Sequence, residues 1–300
     1  FESSAGFTTG GFSLVQYPEE LPRSFTFYRG YAQFVGGLSF IYLIVTAFYS
    51  EKRVSAMKGL ISGNVPHLKE LFSIITIIFS IYAVIIALLL FYLGEGEILD
   101  DFALAFSALS TGGTSPDSKI FQEFTTAKYI VMMIGMILGA LPFGFHYGLV
   151  RTKFLSINLT KEVLVYFCIL VVFCISFTLS MNLNLLDSSF NIISASTTTG
   201  FQTINLNNLN PIAFTIIISA MIIGGCGFST AGGIKIFRFM QLSKLRYVFD
   251  RKTIKISESD KKDIIIGIII LAASVILPLL IAVYLSTIGY DFQNAFYDGV

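Results

Sequence analysis

The chain has 300 residues, is 54% hydrophobic and 13% charged, and has a mean hydropathy of +0.76 and a formal net charge of +1. That composition excludes an ordinary soluble domain. Enzymes are disfavoured too: no nucleophile–base pair or metal cluster can be read, and the only histidines are His67 and His146. Cys168, Cys174 and Cys226 all lie in apolar segments with neither zinc nor disulfide spacing, so they read as small core residues.

In chain order, the first feature is "AGFTTGGF" (5–12), followed by an apolar run over 30–50 that predicts a helix at Tyr28–Tyr49. A basic loop, Glu51–Glu70, carries Lys52, Arg53, Lys58 and Lys69. Uncharged runs follow at 71–93 and 129–150. Between them lies "EILDDFALAFSALSTGGTSP", too short and too polar at its end to cross a membrane; it predicts a short helix over Leu99–Leu109 and an extended return through Ser110–Pro116. A second basic loop, Arg151–Glu162, precedes a helix at 163–182. Then come "SSFNIISASTTTGFQT", a helix from Pro211, a basic region at 235–262, a helix at 264–286 and "DFQNAFYDGV". The uncharged runs are long enough for helices that cross a hydrocarbon core, which needs about 20 residues. The fold class is therefore an all-α polytopic membrane protein.

Three short stretches share a register: Thr8-Thr9-Gly10-Gly11, Ser110-Thr111-Gly112-Gly113 and Thr197-Thr198-Thr199-Gly200. They alternate with the basic loops, which hold 16 of the 20 basic residues and are cytoplasmic by the positive-inside rule. The stretches then enter from the outside, where 12 of the 19 acidic residues fall; such a negative vestibule would concentrate cations. The pattern predicts helix–loop–helix units: 1–57 (return and second helix of a first unit), 58–158, 159–256, and 257–300 (start of a fourth). The chain opens on Phe1 and a loop motif, and a fourth stretch in this register begins about three residues beyond Val300. A fragment of a longer protein is expected.

Irregular backbone at membrane depth is tolerated only where it is buried in protein or lines a watery path. There its carbonyls can replace the hydration shell of a cation, and glycine permits the φ > 0 geometry that turns them inward. Small-residue turns also serve plain helix packing, but three in one register favour the filter. A second glycine-rich segment, Gly224, Gly225, Gly227, Ser229, Thr230, Gly232, Gly233 and Lys235, falls where a helix should run and predicts a break mid-membrane. A phosphate loop fails on detail, because Gly227-x4-Gly232 is followed by Gly233 and no strand precedes it. Lys235 and Arg238 can snorkel to the inner interface, or Lys235 can hold the loop or repel cations. His146 reads as interfacial packing, Pro142 as a kink, and Gly135-x3-Gly139 and Gly144-x3-Gly148 as packing faces. Tyr28, Tyr49, Tyr129 and Tyr147 read as interface anchors.

The motifs "SAGFTTGGF", "LPRSFTFYRGYAQFVGG", "GALPFGFHYG" and "GGCGFSTAGGIKIFR" resemble the Trk/Ktr/HKT superfamily of potassium-transporting pore subunits, with a lean toward the Trk branch. The resemblance implies four helix–pore loop–helix repeats around a central pore in the plasma (inner) membrane. It makes the three stretches the filter, with potassium as substrate, and Gly224–Lys235 an intramembrane gate. Glycine at Gly11, Gly113 and Gly200 matches potassium-selective members; Gly10 and Gly112 depart from a third threonine found in many relatives. It further implies a homodimer in the lipid bilayer with a cytosolic nucleotide-binding regulatory subunit, no covalently bound cofactor and no nucleic-acid partner. The alternative is a sodium- or proton-coupled carrier, which usually keeps ionisable groups inside the bilayer; the apolar runs offer no carboxylate.

Overall fold

The computed structural model describes residues 1–48, 68–94, 96–151, 157–205, 209–242 and 258–299. Most of the basic loops, Tyr49, and the unit boundaries expected at 57 and 256 lie outside the described residues. Within them there are helices and turns and no strand.

Four short helices recur along the chain, one in each expected unit. The short ones are α1 (Glu2–Phe7), α4 (Ile98–Leu109), α8 (Leu185–Ser196) and α12 (Phe292–Gly299). The others are α2 (Arg23–Phe48), α3 (Leu68–Tyr92), α5 (Thr126–Ala140), α6 (Phe143–Arg151), α7 (Ile157–Met181), α9 (Pro211–Ile223), α10 (Ile236–Leu242) and α11 (Glu258–Thr287). Each follows its local sequence. Asn184 and Asn210 cap α8 and α9 by accepting from Asp187 and Ala213 N–H groups, and Pro211 occupies the first turn of α9. Helices α3, α7 and α11 contain apolar spans of 21 to 23 residues. Only 17% of the α11 span is buried within the described structure.

The packing repeats. Helix α4 is enclosed by α3 and α5 of its own unit and α2 of the preceding one; α8 is enclosed by α7, α9 and α5 in the same way. Helices α4 and α8 are therefore interior, lined by fully buried Leu104, Leu109, Phe190 and Ile192.

The run 129–150 departs from expectation. It is not one kinked span but two helices, α5 and α6, bent by 99°. Pro142 has no N–H to give the Leu138 carbonyl four residues back. The fully buried His146 supplies the missing donor: its Nε2 lies 3.0 Å from the Leu138 oxygen, and Tyr82 Oη lies 3.4 Å from Nδ1. Because a carbonyl only accepts, Nε2 carries the hydrogen. His146 is thus a strut inside the bend, a correction to the interfacial reading. Tyr147 is likewise buried rather than an interface anchor, and Cys168 is exposed on α7 rather than in the core. Replacing His146 by Leu strands the Leu138 carbonyl and should cost about 1–3 kcal/mol, read as a lower thermal midpoint in detergent.

Candidate functional site: a filter-like cavity and an intramembrane loop

The three stretches have one backbone. The residue ending each short helix, Thr8, Ser110 or Thr197, has φ between −85° and −81° and ψ between −5° and −2°. Its hydroxyl donates back to the carbonyl four residues earlier, at 2.9, 2.7 and 2.8 Å. Next come Thr9, Thr111 and Thr198, all left-handed at φ 53–54°, whose N–H groups reach Gly6, Ala108 and Ala195. Then Gly10, Gly112 and Thr199 donate to Ala5, Ser107 and Ser194 at 2.9–3.0 Å. This pair of bonds is the Schellman closure, made here with threonine where glycine is usual. A β-branched residue at positive φ is strained by about 1–3 kcal/mol and persists only where its surroundings hold it. The hydroxyl-rich composition of the stretches has a mechanical origin: the Ser/Thr positions tie the helix end, and glycine makes the exit.

Gly11, Gly113 and Gly200 follow at φ 70°, 76° and 91°. A Cβ on Gly113 would lie 1.9 Å from the Thr199 carbonyl oxygen, and one on Gly11 would lie 2.7 Å from the Gly112 oxygen. The first two stretches therefore each set their glycine against a carbonyl of the next, whereas a Cβ on Gly200 would meet nothing within 4 Å. Together they line one cavity of about 390 Å³, to which Thr9, Gly10, Gly11, Gly112, Gly113, Thr198, Thr199 and Gly200 all contribute. Thr8, Ser110, Thr111 and Thr197 stand behind it at the helix ends. Tyr297 on α12 closes a further side, its hydroxyl accepting from Gln202 Nε2 at 3.1 Å.

The helices α1, α4 and α8 present their C-terminal ends to this cavity, a favourable field for a cation. In the first turn of α4, burial lifts the Asp101 carboxyl to about 6, with Lys128 pulling it down and Asp100 pushing it up. Buried Arg29 on α2 pairs with Glu2 of α1 at 2.9 Å, and Glu2 also accepts the Leu14 N–H at 2.8 Å, pinning the first stretch at both ends.

Helix α9 stops at Ile223 and α10 starts at Ile236, so the break falls on the glycine-rich segment as the sequence indicates. The segment is folded, not frayed. Ile234 and Lys235 N–H groups return to the Ile222 and Ile223 carbonyls at 2.8 and 3.0 Å. The φ > 0 conformations of Gly224 and Gly233 let it double back so closely that a Cβ on Gly224 would sit 2.2 Å from the Gly232 oxygen. Its middle docks on the α5–α6 bend: Cys226 N–H reaches Ala140, Thr230 N–H reaches Gly139, and Phe228 accepts from Phe143 N–H at 2.8 Å. Two interrupted helices thus satisfy each other's released backbone groups.

The loop also touches the filter-like stretches. Gly232 N–H donates to Thr198 Oγ1 at 2.6 Å, and Thr230 Oγ1 lies 3.1 Å from the Leu109 carbonyl at the end of α4. Lys235 turns its Nζ back onto the Ser229 and Ala231 oxygens, so it binds the loop rather than reaching outward. On the opposite side Glu162 Oε1 accepts the Gly227 N–H at 2.5 Å. Glu162 is only 4% exposed and lies inside α7, within the apolar span Thr160–Met181. The expectation that the spans carry no carboxylate is corrected; its place at the edge of a basic loop hid it. No group of His, Cys, Asp and Glu suited to a metal occurs among the described residues.

Fold and site together define a polytopic membrane protein of transport type, with re-entrant helix–turn segments around a cavity. The chain matches the TrkH family model, described as cation transport protein, over residues 1–186 and 148–288. It belongs to that family, a family of plasma-membrane transporters and not of enzymes. It is 31% identical over 257 residues to an uncharacterized cation transporter of Methanocaldococcus jannaschii, covering 81% of this chain and 52% of that protein. It is 25% identical to the Trk system potassium uptake protein TrkI of Halomonas elongata, covering 98% of this chain and 65% of the relative. The crystal structure of the potassium transporter TrkH from Vibrio parahaemolyticus superposes with a TM-score of 0.80 at 22% identity, over 98% of this chain and 66% of that one. That likeness establishes the fold. The chain thus spans between half and two thirds of the length of these relatives.

Proposed function

We propose that the protein carries potassium across the plasma membrane through a filter of main-chain oxygens, with Gly224–Lys235 as its gate. One observation carries the reading: a single strained turn, made three times, brings three glycines and their neighbours' carbonyls to one cavity. Main-chain carbonyls in such a place suit a dehydrated monovalent cation, and the loop bonded to Thr198 and beside Leu109 stands where it can block the way. Several relatives are potassium uptake proteins by name, which supports the reading. Within this reading the working protein is a homodimer in the bilayer, governed by a cytosolic nucleotide-binding subunit.

The coupled carrier remains the second reading, and Glu162 favours it as a buried carboxylate beside a broken helix. Glu162 is engaged with the Gly227 N–H, however, and does not line the cavity, which suits anchoring better than ion coupling. Current recordings from the full-length protein in planar bilayers separate the two. A pore gives ohmic potassium current that reverses at the potassium equilibrium potential at every pH and sodium gradient. Flux that stops without a proton or sodium gradient would establish the carrier instead.

A further inference from the structure

The second stretch has glycine, Gly112, where the third has Thr199. The Thr199 hydroxyl bonds that of Thr197 at 2.7 Å. At Gly112 the corresponding space is already filled, by a side chain from α2 that is 79 residues distant in sequence. A Cβ on Gly112 would lie 2.3 Å from Gln33 Cδ. Gln33 is fully buried. Its Nε2 donates to the Gly112 carbonyl at 2.7 Å, and its Oε1 accepts from Thr114 Oγ1 at 2.7 Å. The carbonyl can only accept, so the orientation of the amide is fixed from both ends.

Gln33 does not line the cavity, but the residue it grips does. The same Gly112 oxygen is the one that faces Gly11 across the join between the first and second stretches. A cation smaller than potassium is coordinated only if the oxygens around it close in. A carbonyl tied to a buried, doubly bonded amide resists that movement, whereas a free carbonyl follows the ion.

We infer that Gln33 is a positioning residue for ion selectivity: it braces the Gly112 carbonyl and keeps this level of the filter from contracting onto sodium. The inference rests on the filter reading above. It also accounts for Gly112: glycine leaves room for the brace, and any side chain there would displace it.

The test is the potassium-to-sodium permeability ratio, taken from bi-ionic reversal potentials of the full-length protein. Gln33→Met keeps the length of the side chain and removes both polar contacts; Gln33→Glu removes only the donor. Each should lower the ratio about fivefold, the weight of roughly one buried hydrogen bond. Thr114→Val leaves the donor but loosens its orientation and should lower the ratio about twofold. A merely structural role would reduce the number of active molecules or their thermal midpoint and leave the reversal potential unmoved. If Gln33→Met does not assemble, Thr114→Val decides. Conducting variants with an unchanged or higher ratio overturn the inference. Gly113→Ser, measured alongside, separates the two levels of argument: if it shifts the ratio while the Gln33 variants do not, the brace fails and the filter stands. If neither shifts it, the filter reading itself fails.

Discussion

Gly113→Ser should abolish most of the discrimination between potassium and sodium, lowering the permeability ratio by about tenfold or more, with conductance reduced as well. Two independent facts set this size. The residue sits at φ 76°, where a side chain costs about 1–2 kcal/mol. Any Cβ would also lie 1.9 Å from the Thr199 carbonyl oxygen, well inside contact distance. Neither side can retreat by a rotamer change, since Gly113 follows the Schellman closure at Thr111 and Gly112, and the Thr199 carbonyl follows the one at Thr198 and Thr199. The third stretch must then shift, and it carries Thr198, the hydroxyl that receives the Gly232 N–H. Bi-ionic reversal potentials check the result. An unaltered ratio in a conducting protein contradicts the filter assignment.

Lys235→Gln should favour the open state of the loop by about tenfold, from the loss of hydrogen bonds made by a charged donor, each worth about 1.5–3 kcal/mol. Lys235 Nζ contacts the Ser229 and Ala231 oxygens, in the part of the loop that bears Thr230 and its contacts with Leu109 and Gly139. Removing the ammonium releases those oxygens and so loosens the loop. Single-channel open probability is the direct readout. The permeability ratio should hardly move, because Lys235 does not line the cavity. Unchanged open probability in Lys235→Gln counts against the loop as gate.

Much of this protein was legible in its residues. The uncharged runs located α3, α7 and α11, and the register of hydroxyls and glycines located three turns whose left-handed threonines agree within 1° in φ, at 53–54°. Both are local properties. Apolar length decides whether a segment can cross lipid, and a Ser/Thr–Thr–Gly order closes a helix end through bonds spanning only four or five residues. The glycine-rich interruption after Ile223 was equally visible, since glycine weakens a helix wherever it stands.

What composition and spacing could not reveal were the partners. Glu162 looked like the rim of a basic loop, His146 like an interfacial residue, and Gln33 stood within a motif without being singled out. Their roles come from contacts with Gly227, Leu138 and Gly112, made across 65, 8 and 79 residues. Pro142 likewise foretold a kink, but the size of the bend depends on whether something else can satisfy the backbone it frees. The loop Cys226–Thr230 does so, and the chain turns by 99°. Thus the sequence by itself determined which segments span, which turn back and where helices cannot continue, because each of those outcomes is fixed within one or two helical turns. Only the tertiary structure decided which freed carbonyl meets which donor. In a medium without water each such group must find a partner, and the nearest one in space is seldom the nearest along the chain.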